Sequence, residues 1–259
     1  MDGIVGIVTG GLPLWAFGVA LGVTLFAGFV KGAVGFAMPL IMVSAFGSLM
    51  PPELAVAALI LPTLVTNLRQ ATRQGLGAAL DAAWTYRRFL AGTVLFILIS
   101  AQFLEDIPRT AYLLILGIPV TAFAAAQLAG LPLALRLSHR RPAEWALGVI
   151  GGLYGGVSGI WGPPLLVYLL SVGAEKQETV RVQGVVFLIG AVALLAAHLE
   201  TGVANPQSLG LSAALCVPAV VGMALGFRLQ DRLDQARFRR WTQALLVLTG
   251  LNLIRQALM

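Results

Sequence analysis

Lys31 has the clearest chemical potential in the chain. It stands between Val30 and Gly32, inside an apolar stretch with no acid nearby. A charge at bilayer depth costs about 3 kcal/mol on insertion scales, so such a residue is a site candidate by default. The structural alternative is a lysine that snorkels to an interface from a short hairpin. Glycines surround it at Gly28, Gly32 and Gly35, and Pro39 follows. Glycine permits positive φ and close backbone approach. A helix broken here exposes backbone N–H groups at a half-helix N-terminus, which favours anions. A second stretch has the same character, with Gly152, Gly156, Gly159 and Pro163. Gly32–Gly35 and Gly156–Gly159 are therefore the expected anion-facing turns. Gly28, Pro39, Gly152 and Pro163 are the expected helix breaks. Tight helix packing by the same glycines is compatible with this reading.

Other residues could join these turns. Ser158 can donate to an oxyanion, with Trp161 beside it as a packing residue or contact and Tyr154 just before it. Thr63, Thr66 and Asn67 share one helical stripe at i, i+3 and i+4. Gln183 stands about one turn into the matching helix of the second half. The expected substrate contacts are Lys31, Gly32, Gly35, Asn67, Gly156, Ser158, Gly159, Trp161 and Gln183. An interhelical hydrogen bond is the alternative for each polar one. Arg181 reads as a topogenic charge, and Glu53 suits a helix N-terminus. His198, close to Glu200, reads as an interfacial histidine able to relay protons. The single Cys216 forms no intrachain disulfide and reads as a small buried hydrophobe. Two histidines and one cysteine, far apart, make no metal site. No P-loop and no cofactor motif is present.

The elements that must position these residues are membrane helices. Of 259 residues, 58% are hydrophobic and 11% charged, against roughly a quarter charged in soluble domains. Mean hydropathy is +0.89. The length has room for roughly seven to nine crossings. The apolar runs are continuous rather than alternating, which argues against a barrel. The net charge of +6 does not imply nucleic acid, because the basic residues cluster in short segments between apolar runs, as in cytoplasmic loops. Met1 to Gly11 carries Asp2 and no Lys or Arg, unlike a secretory signal.

The runs span about 4–46, 54–68, 89–104 and 111–128, then 145–172, 180–199, 209–227 and 241–254. Each half has one long Gly-rich stretch and then three plain spans. The segments GFVKGAVGFAMP (28–39) and GLYGGVSGIWGP (152–163) align Gly28 with Gly152, Gly32 with Gly156, Gly35 with Gly159 and Pro39 with Pro163. Loop charge sets orientation. The loop with Arg69, Arg73, Arg87 and Arg88, the linker 131–142 and the loop 228–240 are cytoplasmic. The loops holding Glu105 and Asp106, and 200–207, are outside. Residues 12–47 and 143–172 then become hairpins entered from opposite faces, the first from outside and the second from the cytoplasm. The expected fold is an all-α polytopic membrane protein of two inverted-topology repeats, each a Gly-rich helical hairpin plus three transmembrane helices. Residues 1–130 form the first repeat, 131–142 a basic linker and 143–259 the second repeat.

The motif GFVKGAVGFAMP with a Pro-Pro-Glu turn after it, and GGLYGGVSGIWGPPL near the middle, resemble the sulfite exporter TauE/SafE family over essentially the whole chain. The resemblance implies a bacterial cytoplasmic-membrane permease for sulfite, sulfoacetate or related anions, built on the two glycine motifs. Val157 and Ser158 stand where the family's second motif often carries a denser glycine run. The expected function is a secondary transporter, in the export direction, with a small anion bound near the bilayer midplane. A coupling proton or sodium ion and a second copy of the chain, as a homodimer, are the candidate partners. One alternative is an intramembrane serine protease using Ser158 in Gly156-Val157-Ser158-Gly159 with His198 as base. Another is an anion channel.

Overall fold

In lipid, a backbone must satisfy its own hydrogen bonds, so continuous apolar runs of this length become helices. The computed structural model describes residues 2–137, 139–229 and 234–259. Ser138 of the expected linker and residues 230–233 of the expected basic loop lie outside them. The helices are α1 (Asp2–Thr9), α2 (Leu14–Val34), α3 (Met38–Phe46), α4 (Pro52–Thr72), α5 (Leu76–Thr85), α6 (Arg87–Ser100), α7 (Arg109–Leu128), α8 (Arg140–Ser158), α9 (Gly162–Ser171), α10 (Lys176–Thr201), α11 (Pro206–Leu229) and α12 (Gln235–Leu258). No strand occurs among the described residues. Proline opens α4 and α11 and sits in the first turn of α3 and α9. There its missing N–H costs nothing and its fixed φ suits the helix.

Five helices, α2, α4, α7, α10 and α11, are long and apolar enough to cross a membrane. A sixth span forms if α5 and α6, bent by 79° at their junction, count as one. Large apolar side chains such as Trp15, Val65, Ile118, Val217 and Leu248 are exposed around the outside. A water-soluble monomer does not tolerate so much exposed apolar surface. The chain is an integral, multi-pass membrane protein.

Helices α4 and α10 pack together at the centre and are the most buried spans. Around them α2 packs on α11, α8 on α6 and α7 on α12. Without a hydrophobic force between helices in lipid, close approach needs small residues. A Cβ on Gly28 would strike Ala219 O, and one on Gly32 would strike Met223 O, both on α11. On α8, a Cβ at Gly152 would meet Thr93 O at 2.6 Å and one at Gly156 would meet Ala101 N at 2.7 Å. Thr93 Oγ1 donates to Gly148 O (3.2 Å) and Ser100 Oγ to Gly152 O (3.0 Å), tying α6 to α8.

Several expectations need correction. Gly28 and Gly152 are packing positions inside unbroken helices, not breaks. Pro39 and Pro163 lie in the first turns of α3 and α9, just past the breaks. The segment between Arg69 and Arg88 is not a plain loop, since it holds α5. The basic linker is shorter than 131–142, because Arg140, Arg141 and Pro142 already form the first turn of α8, directly after His139. The two hairpins are also uneven. Each has one long arm, of 21 residues in α2 and 19 in α8, and one short arm, of 9 in α3 and 10 in α9.

The packing yields a stability prediction. Gly152→Ala should destabilise the detergent-solubilised protein by about 1–3 kcal/mol, the usual cost of overpacking. Gly22→Ala, where a Cβ meets nothing within 4 Å, should be neutral or stabilising by up to about 1 kcal/mol. Thermal unfolding of the two variants checks the contrast.

Candidate functional site

The helix breaks fall at Gly35 in the first motif and at Gly159 in the second. α2 ends at Gly35, in the left-handed region at φ 89°, with its N–H donating to Lys31 O at 2.7 Å. α8 ends in the same way at Gly159, φ 69°, donating to Gly155 O at 2.7 Å. A left-handed residue closes a helix because it lets the last carbonyls find donors, and glycine does so without a Cβ clash. Ala37 then takes φ 79°, the one positive φ at a non-glycine among the described residues. Such a conformation is strained for a residue with a Cβ.

Neither α3 nor α9 has a side-chain cap at its N-terminus. Both helix starts therefore present a positive dipole end. Phe36, Ala37, Pro39 and Leu40 from the first turn meet Gly159, Ile160, Trp161 and Gly162 from the second around one cavity, with Phe187 of α10. The cavity holds about 10 Å³, close to the room for a single water. Its lining is almost wholly apolar, so any positive potential there comes from backbone.

Lys31 lies in the last turn of α2 and is 1% exposed, which removes the snorkelling alternative. Its Nζ donates to Thr66 Oγ1 at 2.9 Å and to Asn67 Oδ1. Among the described residues no carboxylate pairs with it, and the ion pair seen there is Arg88–Glu144, at 3.6 Å. Thr66 passes its own hydrogen to Pro62 O at 2.7 Å and lies 3.9 Å from Met38 Sδ, at the start of α3. One turn further along α4, Gln70 Nε2 donates to Gly35 O (3.1 Å) and Val180 O (2.9 Å). The α4 stripe thus fastens both Lys31 and the first turn. Asn67 Nδ2 is buried without an acceptor.

The second turn is fastened differently. Ser158 Oγ donates to Tyr154 O (2.6 Å) and accepts from Ile160 N (3.1 Å). Trp161 is buried against Phe187 with ring centroids 6.2 Å apart, and its indole N–H has no acceptor. Its ring fills the space beside Gly155 and Gly190. Gln183 is buried in α10, next to Gly184, which packs on Gln70 and Ala71 of α4. Gly32 and Gly156 serve helix packing and do not line the cavity.

His198, in the last turn of α10, is fully buried among neighbouring helices. The Gly156 backbone lies beside it, yet neither ring nitrogen has a partner in hydrogen-bond geometry. This contact shows how far the second hairpin extends along α10. Its tip reaches the C-terminal part of α10, far from the end at which α8 begins. Ser158 is held by its own helix and makes no hydrogen bond to His198, so the pair is not a nucleophile and base. Glu53 borders a separate cavity with Glu105, and Arg181 Nη1 donates to Gln74 Oε1 at 2.6 Å.

The family model described as Sulfite exporter TauE/SafE matches residues 20–253. The chain belongs to this family. No curated protein and no solved structure matches it. The TauE/SafE match spans Lys31 and both turns, and the family is one of membrane transporters. Reading the residues alone missed Gln70, Ala37 and Phe187. Gln70 extends the Thr63–Asn67 stripe by one turn and was legible; an alanine with positive φ leaves no signal.

Gln70→Ala would leave two carbonyls, those of Gly35 and Val180, without that donor. Each unsatisfied buried group costs about 1–3 kcal/mol, so a lower unfolding temperature is expected, with Gln74→Ala, at an exposed position, as the milder comparison.

Proposed function

We propose that this protein is a secondary transporter that exports a small sulfur-containing anion, such as sulfite or an organosulfonate, across the bacterial cytoplasmic membrane. The observation that carries the reading is the meeting of two uncapped short-helix N-termini around one central cavity, with a buried, carboxylate-free lysine tied to the first of them through Thr66 and Met38. Helix N-termini favour anions without a bulk charge. In this reading Trp161, which lines the cavity, and Lys31 and Asn67, which stand behind its lining in this closed form, supply donors once the cavity opens; Asn67 and Trp161 carry N–H groups that lack acceptors. Gly35 and Gly159 shape the turns, and Ser158 and Gln183 border the path.

The reading includes two inverted repeats, 1–130 and 143–259, joined by the linker. The offset that carries Gly35 to Gly159 also carries Val34 to Ser158 and Met38 to Gly162, matching helix ends as well as residues. The packing of α2 on α11 mirrors that of α8 on α6. Rocking of one repeat against the other would open the cavity to each face in turn. A cavity of about 10 Å³ suits a closed intermediate of such a cycle better than an open channel. A coupling proton or sodium ion and a homodimer belong to the same reading.

Two measurements test it. Lys31→Ala should insert normally and lose sulfite flux in proteoliposomes by about tenfold or more; flux at the parent rate would remove Lys31 from the mechanism. In a Cys216→Ser background, Asp81→Cys and Gln177→Cys should react with an impermeant thiol reagent only from the cytoplasm, and Glu105→Cys and Gln207→Cys only from outside. The opposite pattern, or mixed labelling, would overturn the orientation.

A further inference from the structure

Another cavity, of about 420 Å³, opens at the starts of α6 and α8 and is lined by Arg87, Arg88, Arg140 and Arg141 with Trp84 and Glu144. Four guanidinium groups share it with one carboxylate. Glu144 pairs with Arg88 at 3.6 Å and accepts the Phe89 N–H at 3.4 Å. Arg87 donates to Trp84 O (2.8 Å) and stacks over the Trp84 ring at 4.6 Å. Arg140 Nε donates to the Tyr168 hydroxyl at 3.4 Å. The partners of Arg87 and Arg140 are neutral, so Glu144, paired with Arg88, is the one carboxylate in the lining against four guanidinium charges. The helices run parallel, with Phe89 beside Glu144 and Ser100 beside Gly152. Cations at the positive ends of two adjacent helices oppose both dipoles.

We propose that this cavity binds the phosphate of an anionic phospholipid from the cytoplasmic leaflet. Guanidinium groups grip phosphate oxygens in pairs. The surroundings favour a lipid over a free ion. Trp84, Leu80 and Leu76 form an exposed apolar stripe on α5, and Trp145 is exposed one turn after Arg141. Leu95 and Ile99 on α6, and Ile150 and Leu153 on α8, are exposed farther along the same helices. Tryptophans at headgroup level and basic pockets between helices on the cytoplasmic side are the features that hold anionic headgroups. The proposal does not depend on what the protein transports.

The test is thermal unfolding of the full chain in neutral detergent with added phosphatidylglycerol, cardiolipin or phosphatidylcholine. The two anionic lipids should raise the unfolding temperature by several degrees and phosphatidylcholine should not. Arg141→Gln should weaken the shift and Arg87→Gln with Arg141→Gln should abolish it, while Arg69→Gln with Arg73→Gln, equal in charge, should keep it. If the double variant fails to fold, the single one decides. An equal shift with phosphatidylcholine, its persistence in the Arg141 variants, its loss in the control pair, or an equal shift from inorganic phosphate alone would overturn the proposal.

Discussion

At residues 35–37 and 159–161 the chain stops being helical in the packed interior of the protein, where every released backbone N–H and C=O needs a partner. The rest of the structure answers that requirement. Gly35 and Gly159 return their own N–H groups to the preceding turn. Gln70 takes up Gly35 O together with Val180 O, so one side chain joins the first hairpin to both central helices. Ser158 caps the second turn at Ile160 N. Satisfying the two turns in this way fixes α4 and α10 at the centre and places the starts of α3 and α9 around one cavity.

The buried charge follows the same logic. Lys31 has no acid paired with it among the described residues, and inserting such a charge costs about 3 kcal/mol. A hydrogen bond to a charged group returns about 1.5–3 kcal/mol. Two of them, to Thr66 and Asn67, are enough to hold the ammonium in place.

Much of the architecture was legible because membrane insertion selects on composition. The spans α4, α7, α10 and α11 follow from uninterrupted apolar runs. α5 was not legible as a helix, because its short sequence, interrupted by Asp81, sits between arginines that read as a loop. The depth of the second hairpin was hidden for a related reason: loop charge reports the side on which a segment begins and says nothing of how far it penetrates. The glycines were legible as a set, yet their roles divided only in three dimensions. Gly28, Gly32, Gly152 and Gly156 admit neighbouring helices, while Gly35 and Gly159 turn the chain.

The sequence by itself determined that the chain is a helical membrane protein with two glycine-rich hairpins and a lysine isolated among apolar residues, since hydropathy and charge act through local composition. Tertiary structure alone decided that Lys31 is held by Thr66 and Asn67, that Ala37 is strained, that His198 is buried and that arginines from two distant segments share one cavity. Those facts depend on which helices lie side by side, and that is set by close backbone contact between residues far apart in the chain.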